Sequence, residues 1–172
     1  YRDPEQTAQV LTSDGWMRTG DKGVLDAEGG LRISGRVKDI FKTGKGKYVA
    51  PAPIEDKLVM HGAVEACCVT GANLGQPLAI LMLNMEAARR AADAAERAAL
   101  ESSLASHLES VNALLDPHER LDCLVIVTQP WTVESGFITP TFKVRRNRIE
   151  DVYAAYYERW VVERRTVIWH EA

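Results

Sequence analysis

Two runs of cations and one carboxylate are the residues of this 172-residue sequence whose types and spacing suit chemistry. Arg36, Lys38, Lys42, Lys45 and Lys47 crowd one stretch; Lys143, Arg145, Arg146 and Arg148 crowd another. The chain as a whole is slightly acidic, with a net charge of −3. Local basic patches in such a chain suit a phosphorylated small molecule, whereas nucleic acid, with its long phosphate backbone, favours a broadly basic domain. Asp21 ends the run Gly15-Trp16-Met17-Arg18-Thr19-Gly20-Asp21. A carboxylate placed after a glycine turn can accept two hydrogen bonds from a vicinal diol, which makes Asp21 a candidate ribose holder. Alone, a Thr-Gly-Asp step also reads as an ordinary turn, and Lys143 to Arg148 as a solvated face before a helix.

Other chemistries are excluded by spacing. His61, His107, His118 and His170 are scattered, with no pair at metal-binding separation and no CxxC, so no metal site is expected. Gly44-Lys45-Gly46-Lys47 resembles half of a phosphate loop. Tyr48 follows where a magnesium-binding Ser or Thr is required, and Phe41 stands where the loop's first glycine belongs. Ser135 lacks the flanking glycines of a hydrolase elbow. Cys67, Cys68 and Cys123 lie in apolar surroundings and suit the reduced thiols of a cytoplasmic protein.

The elements that must position these residues follow from hydrophobic rhythm. With 46% hydrophobic and 26% charged residues the chain has the composition of one compact domain, with a short appendage from a neighbour. Alternation around Asp26-Ala27-Glu28-Gly29-Gly30 predicts a hairpin over 23–34, and a strand over 37–43 that feeds the glycine loop. Pro51 and Pro53 open a helix over 54–61. Apolar runs at 64–70, 78–83 and 121–128 are buried-type strands, the first two separated by a turn at 71–75. Leu100, Leu104, Leu108, Val111 and Leu115 recur at helical spacing within an Ala-rich stretch, 86–115, that holds one or two helices. Ile149, Val152, Tyr153, Tyr156, Tyr157, Trp160 and Val161 form the apolar stripe of a last helix, packed on the sheet as core. No apolar run approaches the roughly 20 residues needed to span a bilayer.

Three segments, in order, resemble the adenylate-forming (AMP-binding) enzymes. They are Thr19-Gly20-Asp21, then Gly35-Arg36-Val37-Lys38-Asp39 leading through the glycine loop to Pro51-Ala52-Pro53-Ile54-Glu55, and finally Ile138-Thr139-Pro140-Thr141-Phe142-Lys143-Val144-Arg145-Arg146. Residues 42–55 are similar to bacterial long-chain fatty acid CoA ligases in particular, and the leading segment Tyr1 to Thr7 fits the same family. The resemblance implies that Lys143 is the adenylation lysine, that Asp21 and Arg36 hold the nucleotide ribose, and that Lys38 is the hinge between a large and a small domain. It further implies that Gly44, Gly46 and Lys47 line a pantetheine channel. Lys42 is either a residue of the second reaction step or a strand lysine facing solvent. The physical sense of Lys143 is plain: a carboxylate attacking the α-phosphate of ATP brings two anions together, and a mobile ammonium between them stabilises the charge.

By this resemblance residues 1–36 are the end of the large AMP-binding domain and 37–172 the small mobile domain. The expected fold is α+β, a small mixed sheet of about three strands flanked by helices and preceded by a short β-hairpin. The implied substrates are ATP with Mg, a fatty acid and CoA, none held tightly by this segment alone. The implied partner is the chain's own N-terminal AMP-binding domain, through which peripheral membrane contact would come. Two other readings stay open: a non-catalytic module that binds CoA or a carrier protein, and part of an acyl-AMP ligase that loads a carrier protein.

Overall fold

The computed structural model describes residues 2–170. Asp3 accepts the Gln6 N–H at 2.8 Å and Pro4 opens the first turn, so helix α1 forms over Pro4–Val10. Tyr1, at the head of that segment, lies outside the described residues. Strands β1 (Asp21–Leu25) and β2 (Leu31–Arg36) pair antiparallel as the expected hairpin. The strand expected over 37–43 is largely absent. Val37–Asp39 is a single 3₁₀ turn, and only Phe41–Lys42 (β3) is extended, paired with Tyr48–Val49 (β4) across the glycine loop. An extended run needs a partner ladder, and here two residues find one.

Helix α2 (Ala52–Leu58) leads into β5 (Val64–Thr70) and β6 (Leu78–Leu83), both within the predicted bounds. The Ala-rich stretch forms two helices, α3 (Met85–Arg90) and α4 (Ala94–Asn112). It divides where Asp93 caps α4 by accepting the Ala95 and Glu96 N–H groups. Then come β7 (Leu124–Val127), α5 (Arg146–Tyr153), α6 (Tyr157–Glu163) and β8 (Val167–His170). The order in the main sheet is β5-β6-β7-β8, with the first pair antiparallel and the other two parallel. The α+β class and the preceding hairpin are as expected, and the sheet carries a fourth strand, β8. That strand is too short to stand out in the sequence and depends on a ladder with β7, which lies far upstream.

Side chains along the strands alternate between two apolar layers. Val69, Ala79, Leu81, Leu124 and Ile126 pack with Ile54, Leu58, Leu104, Leu108 and Val111 of α2 and α4. Cys68, Leu78, Ile80, Val125 and Val127 pack with Phe137, Ile149, Tyr153 and Trp160 on the α5 and α6 side. Helices therefore cover both faces, which is why the strands read as unbroken apolar runs. The last predicted helix is interrupted: residues Ala154–Tyr156 tighten to a 3₁₀ turn, leaving Tyr156 37% exposed while Tyr153, Tyr157 and Trp160 stay buried.

Residues 2–36 are different in kind. No described side chain there is buried, and Trp16, Leu25 and Ile33 are 73%, 71% and 57% exposed. Among the described residues no helix is long and apolar enough to cross a membrane. Trp160→Ala is expected to lower stability by about 3–5 kcal/mol in urea unfolding, as for a large core side chain replaced by a cavity. Val24→Thr on the exposed hairpin is expected to change it by about 0.5 kcal/mol or less.

Candidate functional site

Lys143 sits at the closing position of a tight hairpin. The arms Phe137–Thr139 and Lys143–Arg145 are joined by hydrogen bonds from Arg145 N to Phe137 O (2.7 Å) and from Thr139 N to Lys143 O (2.8 Å). Between them Pro140, Thr141 and Phe142 make the loop, with the Phe142 N–H donating to Thr139 O at 2.8 Å. The Thr139 hydroxyl accepts the Lys143 N–H at 3.1 Å. Proline fixes the first corner and the threonine pins the backbone of the lysine. The exposed ammonium is thus carried on a short, internally bonded loop.

That loop is anchored by the residue that ends its motif. Arg146 opens α5 and reaches the unpaired edge of β5, donating from Nη1 to Val69 O (2.7 Å) and Cys68 Sγ (3.1 Å) and from Nη2 to Glu55 Oε1 (2.7 Å). Glu55, in the first turn of α2, also accepts the Val69 N–H at 2.7 Å. The two side chains are about four-fifths shielded, at 20% and 18% exposure. One turn further along α5, the Glu150 carboxylate accepts the Thr70 hydroxyl. Arg146 and Glu150, four residues apart on one helix face, thereby fasten α5 to β5. Burial pushes the Cys68 thiol up to about 12, against the pull of the Arg146 guanidinium, so it stays protonated.

Of the residues singled out from sequence, several converge. The register of β1 and β2 sets Asp21 opposite Arg36, and their side chains pair at 3.4 Å. Arg36 lines one cleft together with Asp39, Glu55, Thr139, Lys143 and Arg145, so the lysine loop and the hairpin face the same space. Lys38 lines a neighbouring cleft with Thr19, Gly20, Arg36 and Asp39. The glycine loop lines neither. Gly44 donates its N–H to Leu74 O at 2.7 Å, and a side chain on it would meet Asn73 O at 2.6 Å, so only glycine fits against the 71–75 turn. Gly46 has φ +79° and turns the chain toward Lys47, while Lys45 reaches Gln76 Oε1 at 3.2 Å. Lys42 is an exposed strand residue whose ammonium lies 5.9 Å from the Tyr48 ring centre.

Chemically, the shared cleft offers two cations, Arg36 and Lys143, and the Asp21 carboxylate paired to Arg36 is a diol acceptor. This set suits a nucleotide's ribose and α-phosphate. Sequence reading missed the Glu55–Arg146 pair, although each residue closes one of the motif segments. Arg146→Ala is expected to destabilise the fold by about 3 kcal/mol, since it strands Glu55 and the Val69 carbonyl. Differential scanning calorimetry beside Arg148→Ala, an exposed position, checks this; equal midpoints for the two variants would contradict it.

Residues 38–160 match the family of AMP-binding enzyme C-terminal domains. The chain is 30% identical to long chain acyl-CoA synthetase 7 of Arabidopsis thaliana over 95% of its own length and 25% of that protein's. It is 29% identical to a long-chain-fatty-acid–CoA ligase of Mycobacterium tuberculosis, over 92% and 28% respectively. The chain thus spans about a quarter of the length of these curated relatives. Among solved structures, the adenylation domain of a carboxylate reductase from Mycobacterium chelonae superposes with a TM-score of 0.80 at 29% identity, covering 94% of this chain and 25% of that one. With the motif segments in order and the fold shared, the chain belongs to the AMP-binding enzyme C-terminal domain family.

Proposed function

We propose that this chain is the C-terminal part of an ATP-dependent long-chain fatty acid CoA ligase, and that Lys143 is its adenylation lysine. The observation that carries the reading is the single cleft shared by Arg36 and Lys143, with Asp21 paired to that arginine. In the first half-reaction Asp21 and Arg36 hold the ribose of ATP. The Lys143 ammonium lies between the fatty-acid carboxylate and the α-phosphate, and pyrophosphate leaves. Magnesium accompanies ATP as part of the substrate.

Lys38 is the hinge in this reading. It follows the hairpin directly and begins the matched region, so residues 1–36 belong with the large AMP-binding domain and 37–172 form the small mobile one. The exposed apolar side chains of residues 2–36 support this division, because they need a surface that a large domain supplies. Rotation about Lys38 withdraws Lys143 and turns the glycine loop toward the acyl-adenylate. There Gly44 and Gly46 let the pantetheine chain approach the backbone, and Lys47 meets CoA phosphate. Lys42, exposed beside Tyr48, joins this second face. The segment alone is inactive, and cytoplasmic placement fits three free, buried cysteines.

A second reading keeps the chemistry and changes the acceptor to a carrier protein. It is favoured by a 28%-identical Arabidopsis relative named as a long-chain-fatty-acid–[acyl-carrier-protein] ligase. Thioester assays of the intact enzyme with both acceptors separate the two.

Lys143→Ala in the intact enzyme is expected to lower fatty-acid-dependent pyrophosphate exchange by about 10²–10³-fold, the scale of losing one charge-stabilising group. Thioester formation from supplied acyl-adenylate is expected to survive. Unchanged exchange in this variant would mean that Lys143 is not the adenylation lysine.

A further inference from the structure

Among the described residues the same five-residue turn is built four times, at Thr12–Trp16, Asp26–Gly30, Thr43–Lys47 and Thr139–Lys143. In each, the first residue's N–H donates to the carbonyl of the fifth, and the fourth residue's N–H donates to the carbonyl of the first. In each, the side-chain oxygen of the opening Thr or Asp accepts the N–H of the fifth residue. The fourth position requires a left-handed backbone, and three of the turns meet it with glycine: Gly15 at φ +89°, Gly29 at +85° and Gly46 at +79°. The fourth turn has Phe142 there, at φ +58°. A side chain in this region costs conformational energy that glycine avoids, and three turns of the same chain use the cheaper solution.

The Phe142 ring recovers nothing of that cost within the described residues, because the residue is 81% exposed. It is also the residue directly before Lys143. A strained, solvated aromatic beside the candidate catalytic lysine has a use only when the loop meets another surface. Resting on the function proposed above, we infer that Phe142 is a positioning residue: its ring enters an apolar recess of the large domain when the lysine loop docks, and so fixes Lys143 over the reacting phosphate. Burial of the ring on docking supplies an apolar anchor that a flexible lysine lacks, and its release goes with withdrawal of the loop.

The substitution Phe142→Gly tests this cleanly, because glycine is the residue that the turn itself prefers. If Phe142 served only the fold, the variant would keep or raise the thermal midpoint and keep full activity. The inference expects the thermal midpoint to hold or rise while pyrophosphate exchange by the intact enzyme falls at least tenfold. Thioester formation from supplied acyl-adenylate should stay within twofold, and Phe142→Leu, with apolar bulk retained, should recover most of the lost exchange. Unchanged exchange in Phe142→Gly overturns the inference, as does an equal fall in both half-reactions. Lys143→Ala run alongside separates the two levels: exchange lost there but kept in Phe142→Gly rejects the positioning role alone, and exchange kept in Lys143→Ala rejects the functional reading beneath it.

Discussion

At the open edge of the main sheet, the backbone N–H and carbonyl of Val69 turn away from β6, and the molecule is organised around how they are satisfied. An uncovered strand edge is an invitation to pair with other chains. Here one carboxylate and one guanidinium close it, Glu55 taking the amide and Arg146 the carbonyl, each at 2.7 Å, and the two side chains bind each other at the same distance. Covering β5 in this way fixes α2 and α5 against the same strand. Since the glycine loop leads into α2 and the lysine loop leads into α5, one buried ion pair sets the position of both.

The consequence is mechanical. Two loops stand on one sheet, packed on both faces by apolar layers, and neither can shift far without breaking the clasp at Val69. Between the hairpin and β3 the regular structure is a three-residue 3₁₀ turn containing Lys38, the hinge of the proposed function. In that proposal, a stiff body joined through a short turn presents first one loop and then the other to a site in the large domain. In the arrangement seen, Lys143 faces the cleft of Arg36 and the glycine loop faces away.

Much of this was legible in the sequence, and what was not had physical reasons. Strands β5 and β6 were plain because burial on both faces leaves unbroken apolar runs. Asp21, Arg36 and Lys143 were legible as motif positions, and the β1–β2 register sets the first two opposite each other. Strand β8 was missed because four residues carry little periodicity and need β7 to be extended at all. The Glu55–Arg146 pair was missed because its members lie 91 residues apart, and nothing in either local segment says which distant charge it meets. The turn at Thr139–Lys143 was hidden by its own exception. The Thr/Asp-x-x-Gly pattern announces the other three turns, and Phe142 breaks it.

The claim that the two loops move as one body is tested most directly by pulsed dipolar distances in the intact enzyme, with paired spin labels at Lys45 and Thr141 and, separately, at Glu28 and Thr141. All three native cysteines are buried, so labels go to the introduced positions. On the function proposed, between the state with ATP and fatty acid and the state with CoA, the Lys45–Thr141 distance should stay fixed while the Glu28–Thr141 distance changes. A Lys45–Thr141 distance that shifts between the two states, or a Glu28–Thr141 distance that does not, would contradict the account.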